Sequence, residues 1–297
     1  MRSKDSPRIV IRTKSTTLEE KPLKELIDEE ITSGRAAPQV MPQIGARLRK
    51  LTQKHNYSLS DLTDEIEREP ALAARVLRYA NSAIYTGLGD ITNLHQAVTR
   101  LGARMVESIA VAAATRELYQ AGSEIEQERM ESLWKHSVAV GETGRVIALE
   151  VDSTRQEDIF LTCLLHDLGR VVILRALSHI EKRRGSPIGD GLRDEILESL
   201  HAECGARLLE TWGIPLEICD TVRHHHHPEK AQKGSKLPHV VCLADMICHR
   251  LGYSDRPKSG VSLLSLPSSA FLRFDDLRMA ALLVRVEDML PIITHLA

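Results

Sequence analysis

Residues 156–177 read QEDIFLTCLLHDLGRVVILRAL, and this stretch decides the fold. It is mostly apolar on both sides of a short interruption at His166, Asp167 and Gly169, with Leu164 and Leu165 before it and Val171, Val172 and Ile173 after it. An apolar run of this length predicts a buried helix with a polar break inside it. Asp167 therefore stands in apolar company. Burying an unpaired carboxylate costs several kcal/mol or forces protonation, so this residue needs a cation, a donor network or a metal.

Working outward, Asp245 repeats the situation: it lies between Val240-Val241-Cys242-Leu243-Ala244 and Met246-Ile247-Cys248. Five histidines stand at helical positions that can share the company of these carboxylates, namely His136, His166, His201, His225 and His226. Imidazole with carboxylate suits divalent Fe, Mn or Zn, and one carboxylate can bridge two ions about 3.5–4 Å apart. A hydrogen-bonded network without an ion is the alternative reading of the same set. His55, His95, His179, His239, His249 and His295 read as ordinary core or surface histidines. The run His224 to His227 follows a predicted helix with Ile214, Ile218 and Val222 on one stripe, so it belongs to the protein; taken alone it reads as a solvated cluster.

The rest of the chain predicts an all-α protein. Aromatics are 3% of the 297 residues and hydrophobic residues 42%, a balance that disfavours sheets yet supports a sizeable core. Residues 1–17 lack a helical period and read as a tail; Leu23, Ile27 and Ile31 mark a short helix ending at Ser33-Gly34, and Pro38 and Pro42 bracket a linker. Ser58 with Asp61 reads as a capping box, Pro70 as a first-turn proline, Thr92 as a cap and Gly102 as a stop, with a bend at Gly87 and Gly89. One or two long helices are expected over 124–149, a loop over 183–191, helices over 194–212, 215–223 and 238–251, a loop-rich stretch over 253–269 and a closing helix pair over 274–295.

Five cysteines without a CxxC pair point to a reducing cytosol, and no stretch resembles a signal peptide or approaches the roughly 20 apolar residues of a membrane span. With 39 basic and 41 acidic residues the formal charge is −2, which offers no global pull on nucleic acid. Arg100, Arg104 and Arg145 do not by themselves make a phosphate funnel.

In order along the chain, His136, His166-Asp167, His201, His225-His226 and Asp245 resemble the H…HD…H…HH…D signature of the HD superfamily of metal-dependent phosphohydrolases. The words Glu69-Pro70-Ala71-Leu72, Leu77-Arg78-Tyr79-Ala80-Asn81-Ser82-Ala83, Ile91-Thr92-Asn93-Leu94, Gln96-Ala97-Val98, Leu101-Gly102 and Trp212-Gly213-Ile214-Pro215 resemble the HDOD family. The resemblance covers about residues 37–252. It implies a helical bundle in which an N-terminal lobe (37–122) packs on an HD-like lobe (123–252), flanked by a tail and short helix (1–36) and a closing segment (253–297). It also implies one ion on His136, His166, Asp167 and Asp245, with Asp167 bridging to a second on His201, His225 and His226. The DGxGYP words of HD-GYP phosphodiesterases are absent: His227-Pro228-Glu229-Lys230-Ala231 stands there. Where the HDxGK motif has lysine, this chain has Arg170.

Two functions follow as expectations. The first is a cytoplasmic regulatory protein that binds a protein partner or a nucleotide, its HD-like lobe a metal-bearing scaffold and the Asn81 and Arg100 words its recognition surface. The second is a metal-dependent phosphohydrolase in which Asp167 and Arg170 carry catalysis. Neither calls for a membrane or for nucleic acid.

Overall fold

The computed structural model describes residues 21–37, 43–52, 54, 56–82, 89–254 and 260–292, and no strand occurs among them. The expected tail over 1–17, the linker between Pro38 and Pro42, Ala83, Gly87, Pro257, His55 and His295 lie outside the described residues. A first group of helices comprises α2 (Gln43–Thr52), α3 (Leu59–Glu67), α4 (Pro70–Ala80), α5 (Leu94–Leu101) and α6 (Ala103–Arg116). Ser58 and Asp61 form the expected capping box at the start of α3, and Pro70 stands in the first turn of α4. The cap of α5 is Asn93, whose side chain accepts from the Gln96 amide, and not Thr92. The acceptor must stand three residues before the amide it serves, and Thr92 is one residue too early.

The family-like words inside this group hold backbone in place. The Asn81 side-chain amide donates to the Ile91 carbonyl and accepts from the Ile91 amide, both at 2.8 Å. Arg100 donates to the carbonyls of Ala80 (3.2 Å) and Gly89 (2.8 Å). Together they tie the two ends of the α4–α5 connection, with Asn81 itself exposed and Arg100 half-buried.

The second group begins with α7 (Glu124–Val151), a single helix of 28 residues capped by Ser123. It packs on α8 (Gln156–Leu165) and on α12 (Leu237–Arg250), while α9 (Leu168–Arg184) packs on α10 (Asp190–Thr211) and α10 on α11 (Leu216–His224). The apolar stretch is thus two helices broken at His166-Asp167. The second of them continues past Leu177 to Arg184, where Gly185 takes a left-handed conformation, and shortens the expected loop. The C-terminal end holds α13 (Pro267–Phe271) and α14 (Asp276–Met289) with a short 3-10 turn at Leu290–Ile292, so one helix and a turn replace the expected closing pair.

Two ionic clusters join these parts, each around a buried carboxylate. Tyr79 of α4 donates to Glu142 of α7 at 3.2 Å, Arg145 donates to Tyr79 and Glu142, and its other nitrogen reaches Glu157 of α8 at 3.0 Å. The Arg145 guanidinium lies 4.0 Å from the Phe160 ring centre. The N-terminal helix α1 (Leu23–Thr32) docks on α9 through fully buried Leu26 and Ile27. Its Glu30 carboxylate, also fully buried, receives Arg35 (2.9 Å), Arg183 (3.1 Å) and His179 (3.4 Å).

Candidate metal centre

All seven sequence-predicted donors converge. His136 comes from the middle of α7, His166 and Asp167 from the α8–α9 break, His201 from α10, His225 and His226 from the end of α11, and Asp245 from α12. The crossing of α9 and α10 makes this possible. A Cβ at Gly169 would lie 1.9 Å from the His201 carbonyl oxygen and 2.7 Å from the Gly205 nitrogen, so the two helices touch backbone to backbone and only glycine fits.

Each of four buried imidazoles donates its Nδ1 hydrogen to a main-chain carbonyl: His136 to Tyr253 (2.7 Å), His166 to Cys163 (2.6 Å), His201 to Leu197 (2.6 Å) and His225 to Val222 (2.7 Å). A carbonyl can only accept, so the neutral ring directs its Nε2 lone pair at the centre. His201 Nε2 lies 3.3 Å from His225 Nε2 and 3.0 Å from His226 Nε2. Asp167 spans two sets of rings. Its Oδ2 is 3.8 Å from His136 and 3.7 Å from His166, and its Oδ1 is 3.4 Å from His201 and 3.8 Å from His225.

The electrostatics leave acceptors facing acceptors. Burial holds the His166, His201 and His225 imidazoles below their usual range and pushes His226 down to about 4. Burial opposes ionisation of both carboxyls as well, yet Arg170 with the imidazoles at Asp167, and His136 with His249 at Asp245, hold them well below the carboxylate range. At His136 burial is outweighed by the Asp245 carboxylate, 3.1 Å away, and the imidazole is raised. His166 Nε2 and Asp167 Oδ1 are buried without a hydrogen-bond partner, and Asp245 Oδ1 has only the His136 and His249 rings beside it. Converging acceptors of this kind are what a cation satisfies.

The spacing fits such an ion. Bonds of about 2.0–2.2 Å place neighbouring ligand atoms roughly 3.0–3.6 Å apart, and the contacts above run close to that range. Three groups of side chains can hold a metal: His201, His225 and His226; His136, His166 and Asp167; and His136, Asp245 and His249.

His249 is the residue the sequence reading missed. The sequence reads it as an ordinary histidine, yet its Nε2 lies 3.3 Å from Asp245 Oδ1, one helical turn along α12. The i, i+4 spacing from Asp245 was the available signal. Arg170 donates to Asp167 Oδ2 at 2.9 Å and to Glu198 at 3.0 Å. Six of the seven expected donors are at most 6% exposed, and His226 alone is half-buried.

The description "HDOD domain" matches residues 39–228. The chain belongs to the HDOD family. Among solved HDOD-like structures, one of an HDOD domain protein with unknown function from Geobacter sulfurreducens is 23% identical, with a TM-score of 0.73 over 92% of this chain and 97% of its own. A Shewanella amazonensis SB2B protein whose name proposes a metal-dependent phosphohydrolase is 16% identical, with a TM-score of 0.74 over 93% of this chain and 99% of its own. Both share the all-helical fold. An uncharacterized protein of Treponema pallidum (strain Nichols) is 26% identical over 250 residues, 78% of this chain; the HDOD chain spans 48% of that relative's length. No helix among the described residues is long and apolar enough to cross a membrane.

Proposed function

We propose that this HDOD chain is a metal-bearing regulatory protein of a cytoplasmic signalling pathway, acting through a protein partner or a nucleotide. Its division is an N-terminal helical lobe over 37–122, a metal-bearing lobe over 123–252 and a closing segment over 253–297. The observation that carries the reading is the pair of buried, partnerless acceptors His166 Nε2 and Asp167 Oδ1, with Asp245 and the other imidazoles converging on the same point. His136, His166, Asp167 and Asp245 would hold one divalent ion, Fe, Mn or Zn, and His201, His225 and His226 a second, with Asp167 between them. His249 would orient Asp245 from outside. A regulatory role suits a centre this enclosed, because holding α7, α8–α9, α10, α11 and α12 to one point stabilises the lobe whether or not a substrate enters.

Phosphohydrolysis is the second reading, favoured by the guanidinium of Arg170 beside Asp167. A divalent ion supplies Lewis acidity toward a phosphoryl oxygen and acidifies water. For turnover Arg170 would have to leave Asp167 and Glu198 and turn its fork to the phosphate.

One experiment separates the two. Elemental analysis of purified wild type and His166→Ala is paired with a nucleotide and phosphate-ester hydrolysis panel on metal-replete wild type and Asp167→Ala. The regulatory reading expects metal in wild type, a loss in His166→Ala and no turnover. Hydrolysis that disappears in Asp167→Ala would transfer the assignment to the hydrolase, and metal-free wild type after growth and purification with added Fe, Mn and Zn would end both.

A further inference from the structure

Away from the metal centre, a cavity of about 170 Å³ opens between α7, α9 and the turn that precedes α7. One wall is a single face of α9, where Arg175, Ser178 and Lys182 recur at i, i+3 and i+7. Arg175 is half-buried, and its guanidinium rests on three main-chain carbonyls: Ala36 (2.9 Å), Leu118 (3.2 Å) and Gln120 (3.3 Å). No carboxylate among the described residues pairs with it, and burial alone lowers its pKa. Lys182 is exposed at the same cavity and likewise makes no ion pair among the described residues.

The acids at the cavity are engaged elsewhere. Glu181 takes Arg193 and the Ile188 amide, both at 2.6 Å, and Glu126 takes the Ser123 hydroxyl at 3.1 Å. Arg129 is matched by Asp190 at 3.1 Å. Arg175, Ser178 and Lys182 thus line one space in which neither cation is ion-paired among the described residues, while Glu126, on the α7 side, is capped only by Ser123. The opposite wall is apolar, made by Ala121, Met130 and Ile125, and Ile125 stands 72% exposed at the mouth. A large aliphatic side chain in water beside an unanswered positive charge is the profile of a site for an amphiphilic anion.

We propose that this cavity binds a small organic anion, a carboxylate or phosphate head on a short aliphatic body. The head meets Arg175, Ser178 and Lys182, and the body covers Ile125. No Phe, Tyr or Trp stands in the lining to stack a nucleobase. A second cavity shares Arg129 and Leu174 with the first and reaches Arg170, the residue that holds Asp167. The site thus sits where an effector would lie next to the metal centre, yet it shares no residue with that centre, and its test stands whatever the centre holds.

Calorimetric titration of the full chain with hexyl phosphate and hexanoate tests the assignment, with inorganic phosphate and hexanol as head-only and tail-only probes. Saturable one-site binding of at least one whole probe is expected, its identity naming the head group, with both partial probes about tenfold weaker or more. Lys182→Gln and Ile125→Ser alter exposed side chains, so the fold should be unaffected; each is expected to weaken the better probe about five- to tenfold. No saturable binding of either whole probe would overturn the proposal, as would affinities unchanged in both variants or inorganic phosphate binding as tightly as hexyl phosphate.

Discussion

Replacing Gly169 by alanine tests whether the centre is built by the close crossing of α9 on α10. The new Cβ would stand 1.9 Å from the His201 carbonyl oxygen and 2.7 Å from the Gly205 nitrogen. Both neighbours are backbone, so no rotamer can give way. Restoring ordinary contact requires the helices to part by about 1.5 Å. Overpacking of a core costs about 1–3 kcal/mol, and with backbone on both sides the upper end applies, about 3 kcal/mol. At about 2–4 °C per kcal/mol for a chain of this size, Tm should fall by about 6–12 °C. The same movement would open the 3.4 Å approach of His201 to Asp167 toward about 5 Å, beyond the reach of ligands sharing one ion with bonds of about 2.1 Å. Thermal unfolding and metal content per chain are the two measurements, with Gly205→Ala as the milder control, since its Cβ would lie 3.1 Å from the Gly169 nitrogen. A Gly169→Ala protein that melts with wild type and keeps its metal would refute the reasoning.

Asn81→Ala removes both hydrogen bonds to Ile91, whose backbone then loses its partners; a loss of about 2–3 kcal/mol is expected, read as a lower denaturation midpoint at unchanged m-value, and an unchanged midpoint would contradict the tie. His249→Ala should weaken metal retention about tenfold in a chelator competition, as loss of an orienting group does, while leaving Tm in metal-free protein near wild type; equal retention would remove His249 from the centre. The Arg35 hydrogen bonds, with Arg183 and His179 beside them, outweigh burial and hold the Glu30 carboxyl below its ordinary value of 4.5. A depressed carboxyl contributes stability that is present above that value and lost as pH falls below it, so the docking of α1 should weaken below about pH 4.5. Glu30→Gln should flatten that acid dependence, measured by amide exchange over α1, and an identical pH profile in the variant would count against the clamp.

Much of this arrangement was legible because each element carries a local cause. The break at His166-Asp167 showed in the residue types alone, since a carboxylate inside an apolar helix has few ways to exist, and the capping box at Ser58 and the stop at Gly102 are contacts within a few residues. What was missed depends on distant parts of the chain. His249 looked ordinary because its meaning comes from Asp245 facing the same centre as His136, which lies on another helix. Glu30 reads as a surface acid on a short amphipathic helix, and only Arg183 and His179, some 150 residues away, make it a buried one. The Asn81 and Arg100 words were legible as a pattern but not as a role: pattern alone does not say whether a polar group faces a partner or its own backbone.

The junction around Arg145 bears on how such a protein could connect its two groups of helices. Burial raises the Glu142 carboxyl, and Arg145 offsets that only in part, so the cluster adds little stability for its size, while breaking it by removing one partner would leave an uncompensated charge. Its effect is registry. Tyr79 fixes α4 against one turn of α7, and His136 lies six residues earlier on that same unbroken helix, about 9 Å along its axis at 1.5 Å per residue. Sliding α4 along α7 would leave Glu142 or Arg145 buried without its counter-charge, which is why the cluster fixes one helix on the other.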